Sequence, residues 1–247
     1  MPDTPSIPLA QEIVLTRINT DLIDAIVANG FEARFVGGCV RDALLDIKSQ
    51  DVDIASTAMP DQTVKALKVL DGIKINPFAA RYGVIHIKYE GQTFQVSTLR
   101  EDVKTYGRKA DVVFTTSWEK DAKRRDFTVN SIYMARSGEM FDPYDGIGDL
   151  KQGRVRFIGD PSLRIQEDYI RILRYFRFWG KLSAQRPEPS VIEAIIKHEE
   201  GLKALPIDIV KSEIRKIKKL SNGTQVLSIM RELTPGLLEL NVWQSQP

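Results

Sequence analysis

Two aspartates, Asp51 and Asp53, are the residues whose type and spacing most directly suggest chemistry. If residues 51–55 form a strand, both carboxylates point to the same face, because strand side chains alternate with a period of two. They then stand roughly 6–7 Å apart along the strand. Two carboxylates so placed can hold one or two Mg²⁺ ions, which share their oxygen coordination with substrate phosphates.

A pair of glycines precedes these aspartates in the chain. Gly37 and Gly38 allow the backbone to approach phosphate oxygens, because no Cβ blocks the way, and Arg41 adds positive charge nearby. Taken singly, a Gly-Gly turn or an Asp-x-Asp segment is more often a structural feature than a functional one. Their order in this chain predicts a nucleotidyl transfer site in which metal ions clamp a triphosphate.

A second motif contains two adjacent arginines, Arg124 and Arg125, followed by Asp126 and Asn130. Adjacent guanidiniums are costly on a buried face unless they meet anions, and a triphosphate is a suitable anion. Asn130 can hydrogen-bond a ribose hydroxyl. The alternative is a helix-terminal turn in which Arg125 and Asp126 pair locally.

A third motif lies on a helix that we expect to begin near Asp160 and to run on to Trp179. Asp168 and Arg171 are three residues apart and would share a helix face. A carboxylate accepts from the exocyclic amine of C or A and a guanidinium donates to the neighbouring ring nitrogen, whereas G and U present a carbonyl. The pair could therefore select C and A. The alternative is an ordinary salt bridge between neighbouring turns.

Basic residues after this motif are weaker candidates for RNA contacts. Arg174 and Arg177 could reach phosphates, and the aromatic residues among them are more readily explained as core. Lys211 and Arg215 lie on the basic face of a helix expected between residues 206 and 220, which could follow an RNA backbone or simply face solvent.

Composition narrows the class of protein. The 247 residues carry 35 Lys and Arg against 33 Asp and Glu, so the net charge of +2 does not itself indicate nucleic-acid binding. One cysteine and two histidines exclude an intrachain disulfide and a conventional zinc site. There is no apolar run long enough for a bilayer and no signal-peptide pattern near Met1, so we expect a reducing cytoplasm and no membrane partner.

Periodicity predicts alternating helices and strands, hence a mixed sheet with helical cover. We expect a loose arm over residues 1–10 and a mobile basic loop over 100–113. Helices are expected at 11–29, from Arg41 and at 60–70; strands are expected at 31–36, 51–55, 82–89 and 93–99.

The three motifs together resemble the signature of the class II tRNA nucleotidyltransferases (CCA-adding enzymes) and the bacterial poly(A) polymerases. These families belong to the DNA polymerase beta-type nucleotidyltransferase superfamily. The resemblance extends over about residues 30–220. It rests on Gly37-Gly38-Cys39-Val40-Arg41-Asp42 with Asp51-Val52-Asp53, on Arg124-Arg125-Asp126 with Asn130, and on Glu167-Asp168 with Arg171.

The resemblance implies an α+β fold. A catalytic head with a five-stranded mixed sheet would span residues 1–145, an all-α neck residues 146–220, and a short C-terminal helical remnant residues 221–247. Departures are Gln95, where relatives often carry an acid, and Asp208-Ile209-Val210, where an arginine is usual. Relatives also continue through body and tail helices.

The implied activity is template-independent addition of C and A to the 3′ end of tRNA. Asp51 and Asp53 would hold two Mg²⁺ ions, and ATP and CTP would be the substrates. Glu167 would orient Arg171 for base selection, and the loop at 100–113 would help switch from C to A. Addition of CC or A alone, poly(A) synthesis and a silent RNA-binding relative remain alternatives; no oligomeric state is predicted.

Overall fold

The computed structural model describes residues 7–49, 51–106, 109–182 and 186–234. Of these, residues 7–104 and 111–151 form one compact unit, and residues 105–106, 109–110 and 152–234 belong to a second. No helix in the described part of the chain is long and apolar enough to cross a bilayer.

The first unit contains a mixed sheet and, among its described residues, six α-helices. Its helices are α1 (Ile7–Val14), α2 (Arg17–Val27), α3 (Gly38–Leu44), α4 (Pro60–Leu67), α5 (Trp118–Lys123) and α6 (Gly146–Lys151). The strands are β1 (Ala33–Val36), β2 (Asp51–Ser56), β3 (Lys74–Asn76), β4 (Val84–Tyr89), β5 (Gln92–Thr98), β6 (Arg100–Tyr106), β7 (Lys109–Phe114), β8 (Tyr133–Ala135) and β9 (Met140–Phe141).

The main sheet has the order β3-β4-β5-β2-β1-β8-β9. Only β2 and β5 run parallel, and the other pairs are antiparallel, so the sheet is mixed as predicted. This confirms the α+β fold class, but the predicted count of five strands was wrong, because seven are present in the described residues. The edge strands β3 and β9 have three and two residues, too few to show an alternating pattern.

One face of this sheet is buried and the other is open. Along β4, Ile85, Ile87 and Tyr89 are buried while His86 and Lys88 are exposed. Phe94 and Val96 continue the buried face on β5. Period-two alternation in the sequence therefore corresponds directly to the two faces.

Three local predictions were wrong. Residues 7–10 of the expected loose arm lie in α1, and the expected helix over 11–29 is divided between α1 and α2. The Thr16 hydroxyl accepts from the Asn19 N–H and so begins a new helix at Arg17. The expected loop at 100–113 instead forms the two-stranded sheet β6-β7. The remainder of the expected arm and the end of the chain after residue 234 lie outside the described residues.

Apart from residues 105–106 and 109–110, which are the ends of β6 and β7, the second unit is mainly helical over its described residues. Its α-helices are α7 (Pro161–Glu167), α8 (Ile170–Leu182), α9 (Pro189–His198), α10 (Ile207–Lys218) and α11 (Gly223–Leu233). The aromatics of α8 are buried, which confirms their assignment to the core; Tyr175 stacks on Phe157 with 5.9 Å between ring centroids. A Cβ on Gly180 would lie 2.3 Å from Val226, so this glycine lets α8 and α11 pack closely.

Candidate nucleotidyl transfer and base-selection residues

Strand β2 places the two aspartates as the sequence predicts. Asp51 is exposed and Asp53 is partly buried, while Val52 between them points into the core. β2 is central, paired with β1 on one side and with β5 on the other, so its position is fixed by two ladders. The carboxylates therefore share the open face of a rigid strand.

The residues beside Asp53 complete a polar row across the sheet. Asp53 is in register with Gln95 on β5, and Gln95 is in register with His86 on β4. No group of three or more His, Cys, Asp or Glu able to hold a metal occurs among the described residues. Mg²⁺ does not need one, since it commonly takes one or two protein carboxylates and completes its shell with water and substrate phosphates.

The electrostatic environment of Asp53 fits a cation. Burial raises the pKa of Asp53, Arg125 opposes this effect, and the neighbouring Asp51 adds to the rise. A divalent cation between the two carboxylates would offset both the burial and their mutual repulsion. The two aspartates thus suit Mg²⁺ bound jointly with a phosphate ligand.

The glycine turn before α3 borders the arginine motif. Gly37 has a φ of 71°, a backbone conformation that favours glycine. A Cβ at this position would lie 3.5 Å from Nη1 of Arg125 and 3.4 Å from the carbonyl oxygen of Asn130. The Gly37 N–H donates to the carbonyl of Ile132 at 3.1 Å. The first and second motifs are therefore neighbours in the fold.

Arg41 and Asn130 are parts of a buried hydrogen-bond chain. Nε of Arg41 donates to Asp42 at 2.8 Å, and its Nη1 donates to Oδ1 of Asn130. The amide of Asn130 donates in turn to Asp126 at 2.9 Å. This chain links α3 to the 3₁₀ turn Thr128–Asn130. Contacts of Arg41 with phosphate and of Asn130 with ribose remain predictions.

Arg124 and Arg125 share one carboxylate that lies outside the three sequence motifs. Asp121, on α5, accepts from Nε of Arg124 at 2.8 Å and from Nη2 of Arg125 at 3.0 Å. The Tyr133 hydroxyl donates to Asp121 at 2.8 Å and accepts from Nε of Arg125 at 2.9 Å. Arg125 thus pairs with Asp121, whereas the Asp126 carboxylate accepts the Phe127 N–H at 2.9 Å.

Asp121 is buried beside a cluster of hydrophobic side chains. It is 1% exposed, and α5 and β8 meet there in a cluster that includes Trp118, Ala122 and Tyr133. Burial would raise the pKa of Asp121, but the charges of Arg125 and Arg124 and the hydrogen bond from Tyr133 outweigh it, so the net pKa is well below the ordinary value. The pairing of Asp121 with both arginines could have been predicted from the sequence, because Asp121 precedes them by three and four residues, which is one helical turn.

The depressed pKa predicts a pH-dependent stability. We expect Asp121→Asn to lower the free energy of unfolding by about 3–5 kcal/mol at pH 7, since breaking a buried ion pair leaves charges uncompensated. Because the folded-state pKa lies below the unfolded value of about 3.9, this difference should shrink as pH falls below about 5. Urea titrations at pH 7, 4 and 3 measure it, since most of the change falls below the unfolded pKa. The exposed Asp61→Asn is the control, and a difference independent of pH would contradict the assignment.

In the second unit, the base-selection motif spans a helix break. The prediction of one continuous helix was wrong, because α7 ends at Glu167 and α8 begins at Ile170. Asp168 is extended, with φ −156° and ψ 105°. Its Oδ1 accepts the Ile170 N–H at 3.2 Å and its carbonyl accepts the Arg171 N–H at 3.1 Å. A carboxylate that caps the following turn favours such a break.

Arg171 is held across this break. Its Nη1 donates to Glu167 at 2.7 Å, which confirms the predicted contact, and also to the Arg164 carbonyl at 2.7 Å. The Glu167 carboxylate accepts from Arg164 as well. Two anchors on α7 therefore fix the guanidinium of a residue on α8.

Of the remaining basic candidates, some pack against neighbouring side chains and others face solvent. Arg177 forms an ion pair with Glu213 of α10 at 2.8 Å and lies 4.2 Å from the Phe178 ring centroid. Arg174 lies 5.6 Å from that centroid. Arg215 is exposed and donates to the Lys211 carbonyl at 3.3 Å. Arg177 thus has a clear packing role, and RNA contacts by all four residues remain predictions.

Comparisons with known proteins agree with the family resemblance of the three motifs. The family described as the poly A polymerase head domain matches residues 33–156. The mitochondrial CCA tRNA nucleotidyltransferase 1 of Homo sapiens is 43% identical over 216 residues, covering 86% of this chain and 49% of that protein. A CCA-adding enzyme of Oceanobacillus iheyensis is 33% identical over 198 residues, covering 79% and 48%. The chain thus spans about half the length of the curated relatives it matches.

Solved structures give the same result. The CCA-adding enzyme of Bacillus stearothermophilus in complex with CTP matches with a TM-score of 0.78 and 28% identity, over 93% of this chain and 55% of that one. A tRNA nucleotidyltransferase complexed with a primer tRNA and an incoming ATP analog matches with a TM-score of 0.75 and 26% identity, over 89% and 62%. With the family match covering half of its length, this chain belongs to the poly A polymerase head-domain family of nucleotidyltransferases.

Proposed function

We propose that this chain catalyses Mg²⁺-dependent addition of C and A to the 3′ end of tRNA, with CTP and ATP as substrates. The observation that carries the proposal is the placement of Asp51 and Asp53 on one open face of β2, in a unit where Arg125 adjoins the Gly37 turn. The activity of the CCA-adding relatives supports the same chemistry, as do the similar solved structures with CTP and with primer tRNA and an ATP analog.

Each group has a defined task in this proposal. Asp51 and Asp53 hold two Mg²⁺ ions, which when bound supply Lewis-acid stabilisation of the phosphoryl oxygens and of the pyrophosphate leaving group. Arg124 and Arg125 bind the triphosphate through charge-assisted hydrogen bonds, fixed from behind by Asp121. The Gly37-Gly38 turn leaves room for phosphate, and Asn130 approaches the ribose.

Base selection is assigned to the second unit. Glu167 and the Arg164 carbonyl hold the guanidinium of Arg171, which donates to a ring nitrogen of C or A. Asp168 accepts from the exocyclic amine and repels the carbonyl of U or G. In this proposal nucleotidyl transfer belongs to a head of residues 1–145 and base selection to a neck of residues 146–220, which is followed by a remnant of residues 221–247. We also propose that the protein works in a reducing compartment such as the cytoplasm.

The proposal is tested by extension of three tRNA primers, which end before CCA, after C and after CC. Each is incubated with single nucleotides and Mg²⁺ under single-turnover conditions. Completion of all three to CCA is the expected result. Addition of only C or only A would make the chain a half-enzyme, and ATP addition to unrelated RNA would make it a poly(A) polymerase. No extension of any primer would reject the activity.

The base-selection assignment has its own prediction. We expect Asp168→Ser to reduce the preference for CTP over UTP by about 5- to 100-fold, since one good base contact is worth about 1–3 kcal/mol of discrimination. The serine hydroxyl can still cap the turn at Ile170, so the helix break is kept. The ratio of kcat/KM for the two nucleotides measures the effect. Glu193→Ser, exposed on α9, is the control; preserved selectivity in Asp168→Ser would remove Asp168 from this role.

A further inference from the structure

The open face of the sheet continues beyond the aspartates as a strip of polar and basic side chains. Asp51 is in register with Thr93, Thr93 with Lys88, and Lys88 with Lys74. Residues directly opposite in a sheet share a face, so Lys88 and Lys74 stand about 10 and 14 Å from the aspartate strand at the usual strand spacing. We call Lys74, Asn76, His86, Lys88, Thr93 and Gln95 the sheet strip.

The charge of this strip is positive away from the metal-binding residues. Lys74, Lys88 and His86 are exposed. Neither lysine forms an ion pair within the part of the chain that the structure describes. The nearby acid Glu90 is engaged by Arg17 at 2.6 Å. Two unneutralised lysines beside a site for triphosphates form a surface suited to a polyanion.

An ordered loop beside the strip presents aromatic rings to solvent. Phe78 follows β3 and is 87% exposed, and Tyr82 is 41% exposed with the Arg81 guanidinium 4.7 Å from its ring centroid. The loop is fixed rather than loose. The Phe78 N–H donates to the Asn76 side chain at 3.0 Å, and the Tyr82 N–H donates to the Ala79 carbonyl at 2.9 Å. A rigid loop therefore holds a large apolar ring in water.

Basic side chains next to exposed aromatic rings are a combination that binds single-stranded nucleic acid. Phosphates are neutralised by lysines, and unpaired bases stack on rings without sequence preference. A duplex would offer its phosphates but no free base faces to Phe78. Binding of a protein partner would not require two unpaired lysines that lie in register with Asp51 across the sheet. The chemistry of the strip thus favours single-stranded RNA.

We infer that the sheet strip and the loop at 77–83 bind the single-stranded 3′ segment of an RNA primer. Lys74 and Lys88 contact its phosphates, and Phe78 and Tyr82 stack on its bases. The strand order then leads the RNA across β3, β4 and β5 towards Asp51 and Asp53 on β2. This inference rests on the proposed function in taking an RNA as the primer.

The test is fluorescence anisotropy of the full chain with a labelled, unstructured 12-nucleotide RNA that ends in CC, without nucleotide. We expect Lys74→Ala with Lys88→Ala to weaken binding about tenfold at low salt. The double substitution should also reduce the slope of log K against log salt by about 1.4, or about 0.7 for each phosphate that is no longer neutralised. Phe78→Ala should weaken binding about 5- to 100-fold, and Phe78→Trp should preserve it.

Matched controls lie on and beside α4. Lys65→Ala with Lys68→Ala removes the same charge, and Val69→Ala truncates another exposed apolar side chain, 73% exposed. Unchanged affinity and salt slope in the strip variants would overturn the inference, as would equal losses with a blunt RNA duplex. Because the assay needs no turnover, a wild-type chain that binds RNA in this way but extends no primer would reject the proposed function and not the strip.

Discussion

Asp53→Asn should abolish nucleotide addition, with a rate at least about a thousandfold lower and the fold intact. Metal-ion stabilisation of a phosphoryl transition state is worth several kcal/mol, and each 1.4 kcal/mol changes the rate tenfold. Asn keeps the shape of the side chain but removes the negative charge that the proposed Mg²⁺ site requires. Asp53 makes no ion pair among the described residues, so removing this charge breaks no salt bridge there.

Single-turnover extension of a tRNA ending in CC with ATP measures the rate, and thermal unfolding measures the fold. Asp61→Asn, an exposed aspartate in the first turn of α4, is the matched control and should behave as wild type. Asp51→Asn should behave as Asp53→Asn, because both carboxylates lie on the same face of β2. A rate within tenfold of wild type for Asp53→Asn, with unchanged melting, would refute the transfer site placed here.

The elements that carry the site were predictable because their patterns are local. Alternation along residues 84–89 and 92–98 gives both strands and their buried faces, and the two-residue spacing of Asp51 and Asp53 puts both on one face of β2. The Glu167 to Arg171 contact likewise follows from one helical turn of spacing, and it survives the break between α7 and α8.

Features that depend on tertiary contacts were not predictable in the same way. The short strands β3 and β9 exist because they pair with the adjacent strands β4 and β8, and their own two or three residues carry little signal. The extended backbone at Asp168 results from its own side chain capping the next turn, which competes with helix continuation. Tyr133 comes to Asp121 only because β8 joins the main sheet beside β1.

The second large effect is expected at Asp121, through the two arginines it holds. Asp121→Asn replaces one acceptor oxygen by an amide that points N–H groups at guanidinium N–H groups. Hydrogen bonds to charged groups are worth about 1.5–3 kcal/mol each, so the arginines should lose their fixed position and the KM for CTP should rise about 10- to 100-fold. The kcat should fall less than the KM rises, because Asp51 and Asp53 are unchanged. Tyr133→Phe removes only the hydroxyl and should give a smaller rise.

A purely structural role for Asp121 predicts something different, and inorganic triphosphate separates the two. As a competitive inhibitor it probes phosphate recognition without base or ribose, so its inhibition constant should rise in Asp121→Asn in parallel with the KM for CTP. Leu67→Ala, at a fully buried position on α4, should destabilise the protein by about 2–5 kcal/mol without touching either arginine. Assayed well below both melting temperatures, it should leave triphosphate inhibition unchanged. If it weakened inhibition as much as Asp121→Asn, loss of stability rather than loss of arginine positioning would explain both variants.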